Sequence, residues 1–323
     1  MADIRGKASR ILTETGTNEL EVITFSLNWH DPVSKKAVTT TYGINAAKVK
    51  ELVAIPATVT EIANSPDCVE GVFLLRDRTM PLVNLCRWFN YEPLITEEAK
   101  RKWTVIVAEL NGKMFGFITH GVDKVYRVSW EKIEPPPELV AESRSLTGIA
   151  ILDNQLVQMV DFENIIINID PGMAMKAQPP PDLPPLRGGE ENMVVVLADD
   201  SRVILQQLEQ TFTAANFKVV GHNDGQFCWE YLEGLKAAGA VEDRVLAVVT
   251  DIEMPRLDGH SLCRKIKEDP AYHKIPVVLF SSLINEAMQR KGEKIGADAQ
   301  ITKPELHTMV AKVTELIRQY RES

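Results

Sequence analysis

Four short runs of aliphatic residues in the second half of the chain each lead into polar residues. The runs cover residues 193–198, 245–250 and 276–280, and a last short run ends at Lys303. Runs rich in β-branched residues that alternate with helical patterns are typical of buried strands in a parallel sheet. We therefore predict a doubly wound α/β domain over residues 191–323.

The polar residues that follow these runs carry the candidate chemistry. Asp199 and Asp200 follow the first run, Asp251 the second, Ser281 the third and Lys303 the last. Ligands of such sheets bind beyond the carboxyl ends of the strands. Clustered carboxylates repel one another unless a cation compensates them, and Mg²⁺ prefers oxygen ligands and bridges to phosphate oxygens. The sequence thus predicts a site for a divalent cation and a phosphoryl group.

Each of these residues also has a simpler structural explanation. Asp200 or Ser201 could be a helix N-cap, and Asp258 followed by glycine is an ordinary turn signal. Lys303 precedes a proline, which suits the first turn of a helix. Because these residues arrive at successive strand ends in order, we favour the phosphoryl site.

Residues 251–259 read D-I-E-M-P-R-L-D-G. They resemble the D-x-x-M-P-x-x-D-G segment of the receiver domains of two-component signalling, and the resemblance extends over about residues 193–320. It implies a flavodoxin-like fold with Asp251 as the phosphoacceptor. It implies Mg²⁺ as cofactor, held by Asp199, Asp200, Asp251 and the backbone carbonyl of Glu253. It also implies that Ser281 hydrogen-bonds a phosphoryl oxygen and that Lys303 pairs with the phosphoryl group.

Two positions depart from the receiver pattern. Gln300 stands where receivers often carry an aromatic residue that reorients on phosphorylation, and Ser282 stands where a smaller residue is usual. We therefore expect a conformational output that differs from that of the best-known single-domain receivers.

The first half of the chain shows shorter runs with strand alternation. They cover residues 22–27, 104–108, 114–118 and 156–160. Strands at this spacing are typical of a sandwich or of small barrels. This half has no nucleophile elbow, phosphate-binding glycine loop or metal-ligand spacing, so we interpret it as a binding module. Its segment from Asn28 to Thr41 predicts an exposed hairpin.

Several stretches of this half are similar to the CheW family of chemotaxis coupling proteins: 42–52, 64–66, 69–76, 81–85, 121–125, 133–137, 146–150 and 160–163. The resemblance implies an all-β fold of two intertwined barrels over residues 18–170, which docks chemoreceptor tips and the histidine kinase CheA. Val49 and Glu51 match receptor-side positions, and Gly71 and Arg76 match positions tied to coupling. The alternatives are a core role for Val49, a turn glycine that needs positive φ at Gly71, and an ordinary surface arginine at Arg76.

A proline- and glycine-rich segment, residues 171–190, separates the halves and predicts a semi-rigid linker. The preceding Ile165–Ile169 has the composition of a strand. A net charge of −9 argues against nucleic-acid or anionic-membrane partners. No apolar stretch approaches the roughly 20 residues of a membrane span, and the four cysteines are scattered, so we predict a cytoplasmic protein without direct membrane insertion.

A CheW-like module followed by a receiver predicts a chemotaxis scaffold at membrane chemoreceptor arrays. It would couple receptors to CheA, and phospho-CheA would phosphorylate Asp251 to regulate that coupling. We predict no enzymatic activity beyond the protein's own Mg²⁺-dependent phosphotransfer. The alternative is a phosphate sink that drains CheA. A transcriptional regulator is disfavoured because a single helix follows Lys303 and no helix-turn-helix is present.

Overall fold

The structure, a computed structural model, describes residues 19–110, 112–137, 145–170, 193–239, 244–282, 286–303 and 306–322. The chain forms two units, one mainly within residues 20–174 and the other mainly within residues 175–323. The predicted linker, residues 171–190, lies outside the described residues.

Strands dominate the first unit. They are β1 (Glu19–His30), β2 (Ala37–Asn45), β3 (Val49–Ala54), β4 (Val69–Leu75), β5 (Arg78–Asn84), β6 (Glu92–Pro93), β7 (Thr104–Leu110), β8 (Lys113–Thr119), β9 (Val122–Ser129), β10 (Ile133–Glu134), β11 (Leu146–Leu152) and β12 (Gln155–Val160), with helices α1 (Leu85–Trp88), α2 (Glu97–Lys100) and α3 (Phe162–Ile169). One sheet has the order β10-β11-β12-β2-β1-β6, with β9 also on β1, and the other has the order β3-β7-β8-β5-β4. Because their strands alternate along the chain, the sheets are intertwined, and the predicted all-β fold is confirmed.

Strand β7 lies between two hydrophobic cores, which explains its uninterrupted apolar sequence. Val105 and Val107 pack with Phe73, Met80 and Leu82 inside the five-stranded sheet. The alternate residues Ile106 and Ala108 pack into a larger core with Phe25, Tyr42, Phe117 and Phe162. A strand that is buried on both faces has no polar face, so alternation disappears from its sequence.

The segment from Asn28 to Thr41 forms the predicted exposed hairpin. Strands β1 and β2 pair up to His30 opposite Ala37, and Val33 in the turn is 92% exposed. The side chain of Asp31 accepts hydrogen bonds from the backbone N–H groups of Val33 and Ser34, at 2.7 and 2.8 Å. This Asx-type turn explains why the chain reverses here.

Ile165–Ile169 is helical, so its interpretation as a strand is wrong. The helix α3 begins after Asp161, whose side chain accepts a hydrogen bond from the backbone N–H of Asn164 at 2.9 Å. Phe162, Ile165 and Ile166 are all buried in the larger core. Their helical spacing and the N-cap outweigh the strand preference of β-branched residues.

The second unit is a doubly wound α/β domain, as predicted. Its strands are β13 (Val194–Ala198), β14 (Lys218–His222), β15 (Val245–Asp251), β16 (Val277–Ser281) and β17 (Ala299–Thr302), and its helices are α4 (Arg202–Ala214), α5 (Gly225–Ala237), α6 (Gly259–Glu268), α7 (Glu286–Lys294) and α8 (Leu306–Glu322). The order β14-β13-β15-β16-β17 is parallel throughout. The edge strand β14 was not predicted, because it is partly exposed and lacks an apolar run.

None of the helices within the described residues is long and apolar enough to cross a membrane. All four cysteines are buried free thiols.

Candidate functional site

The predicted site residues of the second unit meet at the carboxyl edge of its sheet. Asp251 and Ser281 are the last residues of β15 and β16. Asp199 directly follows β13, and Lys303 directly follows β17. In a parallel sheet these ends lie side by side, so strand pairing itself assembles the cluster.

The cluster is a buried group of carboxylates around one ammonium. Asp199, Asp251, Ser281 and Lys303 are at most 3% exposed, and Asp200 is half-buried. Ligand oxygens of the three aspartates lie within 4.8 Å of one another. The Nζ of Lys303 is 3.1 Å from Oδ2 of Asp199 and 3.1 Å from Oδ2 of Asp251.

Backbone groups orient two of these carboxylates. Asp199 Oδ1 accepts a hydrogen bond from the backbone N–H of Ser201 at 2.9 Å. Asp251 Oδ1 accepts one from the backbone N–H of Ile252 at 2.7 Å. One oxygen of each aspartate is thus held by the loop, while Oδ2 faces Lys303.

Helix capping does not account for the acidic pair. Ser201 occupies the N-cap position of α4, but its side chain makes no capping hydrogen bond. Asp200 lies one residue earlier and contributes to the carboxylate cluster instead. Asp258, interpreted from the sequence as a turn signal, caps α6 by accepting from the backbone N–H of Ser261 at 2.9 Å.

The donor set suits a divalent cation. Three carboxylates supply hard oxygen ligands, and a single lysine leaves net negative charge in a buried place. His260, at the start of α6, adds no positive charge near neutral pH, because burial and then Lys291 lower its pKa to about 3. The loop between β15 and α6 also carries Glu253, whose backbone carbonyl is the fourth predicted ligand.

The two departures from the receiver pattern lie on β17 and directly after β16. The side-chain amide of Gln300, on β17, donates a hydrogen bond to the backbone carbonyl of Gln289 in α7 at 2.8 Å. A phenylalanine at this position would have no donor for that bond. Ser282 directly follows β16 and is partly exposed.

The predicted partner residues of the first unit lie on its five-stranded sheet. Val49 and Glu51 are on β3, Gly71 is on β4, and Arg76 is in the turn between β4 and β5. The guanidinium of Arg76 is 66% exposed and lies 2.9 Å from the carboxylate of Glu51. Val49 packs against the larger core, which supports the core explanation for that residue.

The backbone requires a glycine at position 71. Gly71 has φ +135°, and a Cβ there would lie 2.3 Å from the carbonyl oxygen of Thr60. Steric need therefore explains this residue, and its part in partner binding stays a prediction.

Sequence analysis missed one exposed apolar residue beside these positions. Leu74, on β4, is 66% exposed and lies two residues before Arg76. The signal was available, since Phe73 points into the core and alternation places its neighbours outside.

Comparison with known proteins identifies both units. Residues 36–170 match the CheW-like domain, and residues 195–314 match the response regulator receiver domain. The chain is 26% identical over 317 residues to the chemotaxis protein CheV3 of Helicobacter pylori, covering 96% of this chain and 98% of that protein. The chemotaxis protein CheV1 of the same organism is 24% identical over 317 residues, covering 94% of this chain and 95% of that protein.

The first unit is also similar to a protein of the CheW family. It is 32% identical over 127 residues to the chemotaxis protein CheW of Klebsiella aerogenes, covering 39% of this chain and 74% of that protein. The predicted order of a CheW-like module and a receiver is therefore confirmed. The chain thus carries a CheW-like domain followed by a response regulator receiver domain, and over nearly its whole length it is similar to the chemotaxis proteins CheV3 and CheV1.

Proposed function

We propose that the protein couples chemoreceptor tips to the histidine kinase CheA and that phosphorylation of Asp251 regulates this coupling. One observation supports the regulatory part above all. Asp251 is a buried carboxylate at the end of β15, grouped with Asp199 and Asp200 and 3.1 Å from Lys303. Residue types and placement both suit a phosphoacceptor.

The transfer is a displacement at phosphorus. A carboxylate oxygen of Asp251 attacks the phosphorus of a phosphohistidine on CheA, and an acyl phosphate P–O bond forms. The P–N bond breaks, and the imidazole nitrogen leaves with the electron pair. Mg²⁺ held by Asp199, Asp200, Asp251 and the Glu253 carbonyl would neutralise charge on the phosphoryl oxygens. The Lys303 ammonium pairs with these oxygens, and the Ser281 hydroxyl donates a hydrogen bond to one of them.

Phosphorylation changes the partners of Lys303. In the unmodified site its ammonium lies between the carboxylates of Asp199 and Asp251. Once Asp251 carries the phosphoryl group, the dianionic oxygens attract Lys303 and Ser281 instead. The preferred positions of these two side chains then change. A difference of about 1–3 kcal/mol between the two states is enough for useful regulation.

The first unit supplies the docking surface in this proposal. Glu51 and Gly71 lie on one sheet, and Arg76, in the turn after β4, is largely exposed. Arginine is enriched in protein interfaces, and its planar group suits acidic partners. Binding to receptor tips would place the protein at membrane chemoreceptor arrays from the cytoplasmic side.

The test is reconstitution of receptor arrays with CheA and either the wild type or Asp251→Asn. The amide keeps the shape of the side chain but lacks the anionic nucleophile. We expect phospho-CheA to transfer no radiolabel to the variant. We also expect the kinase activity of arrays with the wild type to differ from that of arrays with Asp251→Asn. Label on Asp251→Asn would reject the acceptor assignment.

The same assay separates regulation from a phosphate sink. Kinase activity is measured with phosphate loss from CheA counted explicitly, and array affinity is measured by co-sedimentation. A regulator changes intrinsic kinase activity or array affinity on phosphorylation. If both are equal for the wild type and Asp251→Asn, the sink replaces the regulatory proposal.

A further inference from the structure

Arg256 lies in the loop between β15 and α6 with a left-handed backbone. Its φ is +61°, in a region that residues other than glycine, asparagine and aspartate rarely occupy. This conformation costs roughly 1–2 kcal/mol for an L-residue, so surrounding contacts must stabilise it.

The stabilising partner is a buried aspartate 32 positions earlier in the chain. Arg256 Nε donates a hydrogen bond to Asp224 Oδ2 at 2.7 Å, and Nη2 donates to the same oxygen. Asp224 is completely buried, while Arg256 is 25% exposed. The guanidinium carbon also lies 3.9 Å from the centroid of the Phe227 ring. The contact combines a charge-assisted pair with a cation–π contact.

Asp224 connects this pair to helix α5. Its Oδ1 accepts a hydrogen bond from the backbone N–H of Phe227 at 2.9 Å, which caps the helix. The next residue, Gly225, touches the loop itself, since a Cβ there would lie 2.1 Å from the carbonyl oxygen of Leu257. The start of α5 and the loop after Asp251 therefore form one packed element.

The loop is also closed at its base. The backbone N–H of Gly259 donates to the carbonyl of Ile252 at 2.9 Å. With this bond and the Arg256 contact in place, the segment from Ile252 to Gly259 is held at its base and at its tip. Asp251 and Glu253, both predicted cation ligands, lie within or directly before this segment.

We propose that Arg256 and Asp224 form a clamp that positions the loop ligands, the Asp251 carboxylate and the Glu253 carbonyl, for a divalent cation. Arg256 is a positioning residue, because it acts through the loop and not on the reacting atoms. The proposal rests on the proposed function only in assigning a divalent cation to the carboxylate cluster. Residues that do not bind the metal but orient its ligands have a strong effect on metal affinity.

The test is titration of the full chain with Mg²⁺, followed by calorimetry, without any phosphoryl donor. For Arg256→Met we expect a dissociation constant about 10- to 100-fold weaker than for the wild type. Arg256→Lys should restore affinity only in part, because an ammonium cannot donate from a fixed planar fork. Asp224→Asn should also weaken binding, although asparagine retains the cap of α5.

Two further variants separate the clamp from general stability. Lys236→Met removes an ion pair with Asp269 at the carboxyl ends of α5 and α6, so it should leave the dissociation constant unchanged. Arg256→Gly relieves the left-handed backbone but lacks the guanidinium. We expect it to recover thermal stability relative to Arg256→Met without recovering Mg²⁺ affinity.

A double variant tests whether the two residues act together. Asp224→Asn combined with Arg256→Met should bind Mg²⁺ as weakly as Arg256→Met alone, since one clamp is lost in both. Additive losses contradict the clamp, as does an affinity of Arg256→Met within twofold of the wild type. If Arg256→Met does not fold, the Mg²⁺ dissociation constants of Arg256→Lys and Asp224→Asn test the clamp in its place. These outcomes do not depend on whether Asp251 accepts phosphate.

Discussion

The guanidinium of Arg76 lies 2.9 Å from the carboxylate of Glu51, although β3 and β4 are at opposite edges of the five-stranded sheet. Arg76 follows β4 directly, so the ion pair spans the gap between those edges and shows that the sheet curls into a barrel. Exposed ion pairs contribute about 0–1 kcal/mol to stability. Arg76 can therefore exchange Glu51 for a carboxylate of a partner at little cost.

Arg76→Glu should impair assembly with receptor and CheA. A glutamate there faces Glu51 and repels acidic partner groups, which costs roughly 2–5 kcal/mol if the contact is buried. Co-sedimentation with receptor arrays measures the loss. Phosphotransfer from CheA to Asp251 serves as the control and should be unchanged.

The charge-swapped variant Glu51→Arg with Arg76→Glu refines that experiment. The swap restores an ion pair within the barrel but reverses the charge of the exposed turn. We expect thermal stability close to the wild type and array recovery as low as for Arg76→Glu. Full recovery of binding by the swap would assign Arg76 to barrel closure alone.

Lys303→Met should destabilise the receiver in the absence of divalent cations. The buried carboxylates of Asp199 and Asp251 would lose their ammonium, and removal of one partner of a buried pair costs about 3–5 kcal/mol. Urea unfolding with and without Mg²⁺ measures the effect. Saturating Mg²⁺ should recover part of the loss, because it compensates the same carboxylates. Equal destabilisation in both conditions would show that the lysine acts through packing.

Mg²⁺ alone should stabilise the unphosphorylated protein. Binding to the folded state at 100 times the dissociation constant adds about 2.7 kcal/mol to the free energy of unfolding. Calorimetric scans at rising Mg²⁺ should show the receiver transition moving to higher temperature. Asp199→Asn removes one ligand charge and should greatly reduce the shift. A shift of the same size in that variant would place the cation elsewhere.

Acidification should destabilise the CheW-like unit through His120. This side chain is 2% exposed, accepts a hydrogen bond from the Asn28 N–H at 2.9 Å and stacks on Trp103. Burial lowers the pKa of His120 from 6.5 to about 4. Between these values the unfolded chain binds the proton and the folded chain does not. Stability is therefore complete above pH 6.5 and falls as the pH drops towards 4.

The expected loss from His120 is about 1.4 kcal/mol for each pH unit in that window. Urea unfolding of the wild type and of His120→Gln at pH 7 and pH 5 isolates this contribution. Glutamine does not titrate, so the difference in stability between the two proteins should shrink at pH 5. A constant difference would mean that folding does not lower the pKa of His120.

The acidic site could be predicted because the positions of its residues follow from the ends of the strands. Asp199, Asp251 and Ser281 each come at the end of an apolar run, and parallel pairing brings these ends to one edge. Such runs can be recognised in the sequence, because strands that are buried on both faces exclude polar residues. The same reasoning missed β14, whose position at the sheet edge leaves it partly exposed.

Sequence by itself determined the two folds, the carboxylate cluster and the exposed hairpin, because each depends on local pattern or on the order of strands. Only the tertiary structure decided that Ile165–Ile169 is helical, since a capped turn and one shared core outweigh local preference. It alone paired Arg76 with Glu51 and Arg256 with Asp224. These partners are distant in the chain, and a charged residue carries no local signal of which opposite charge the fold will bring to it.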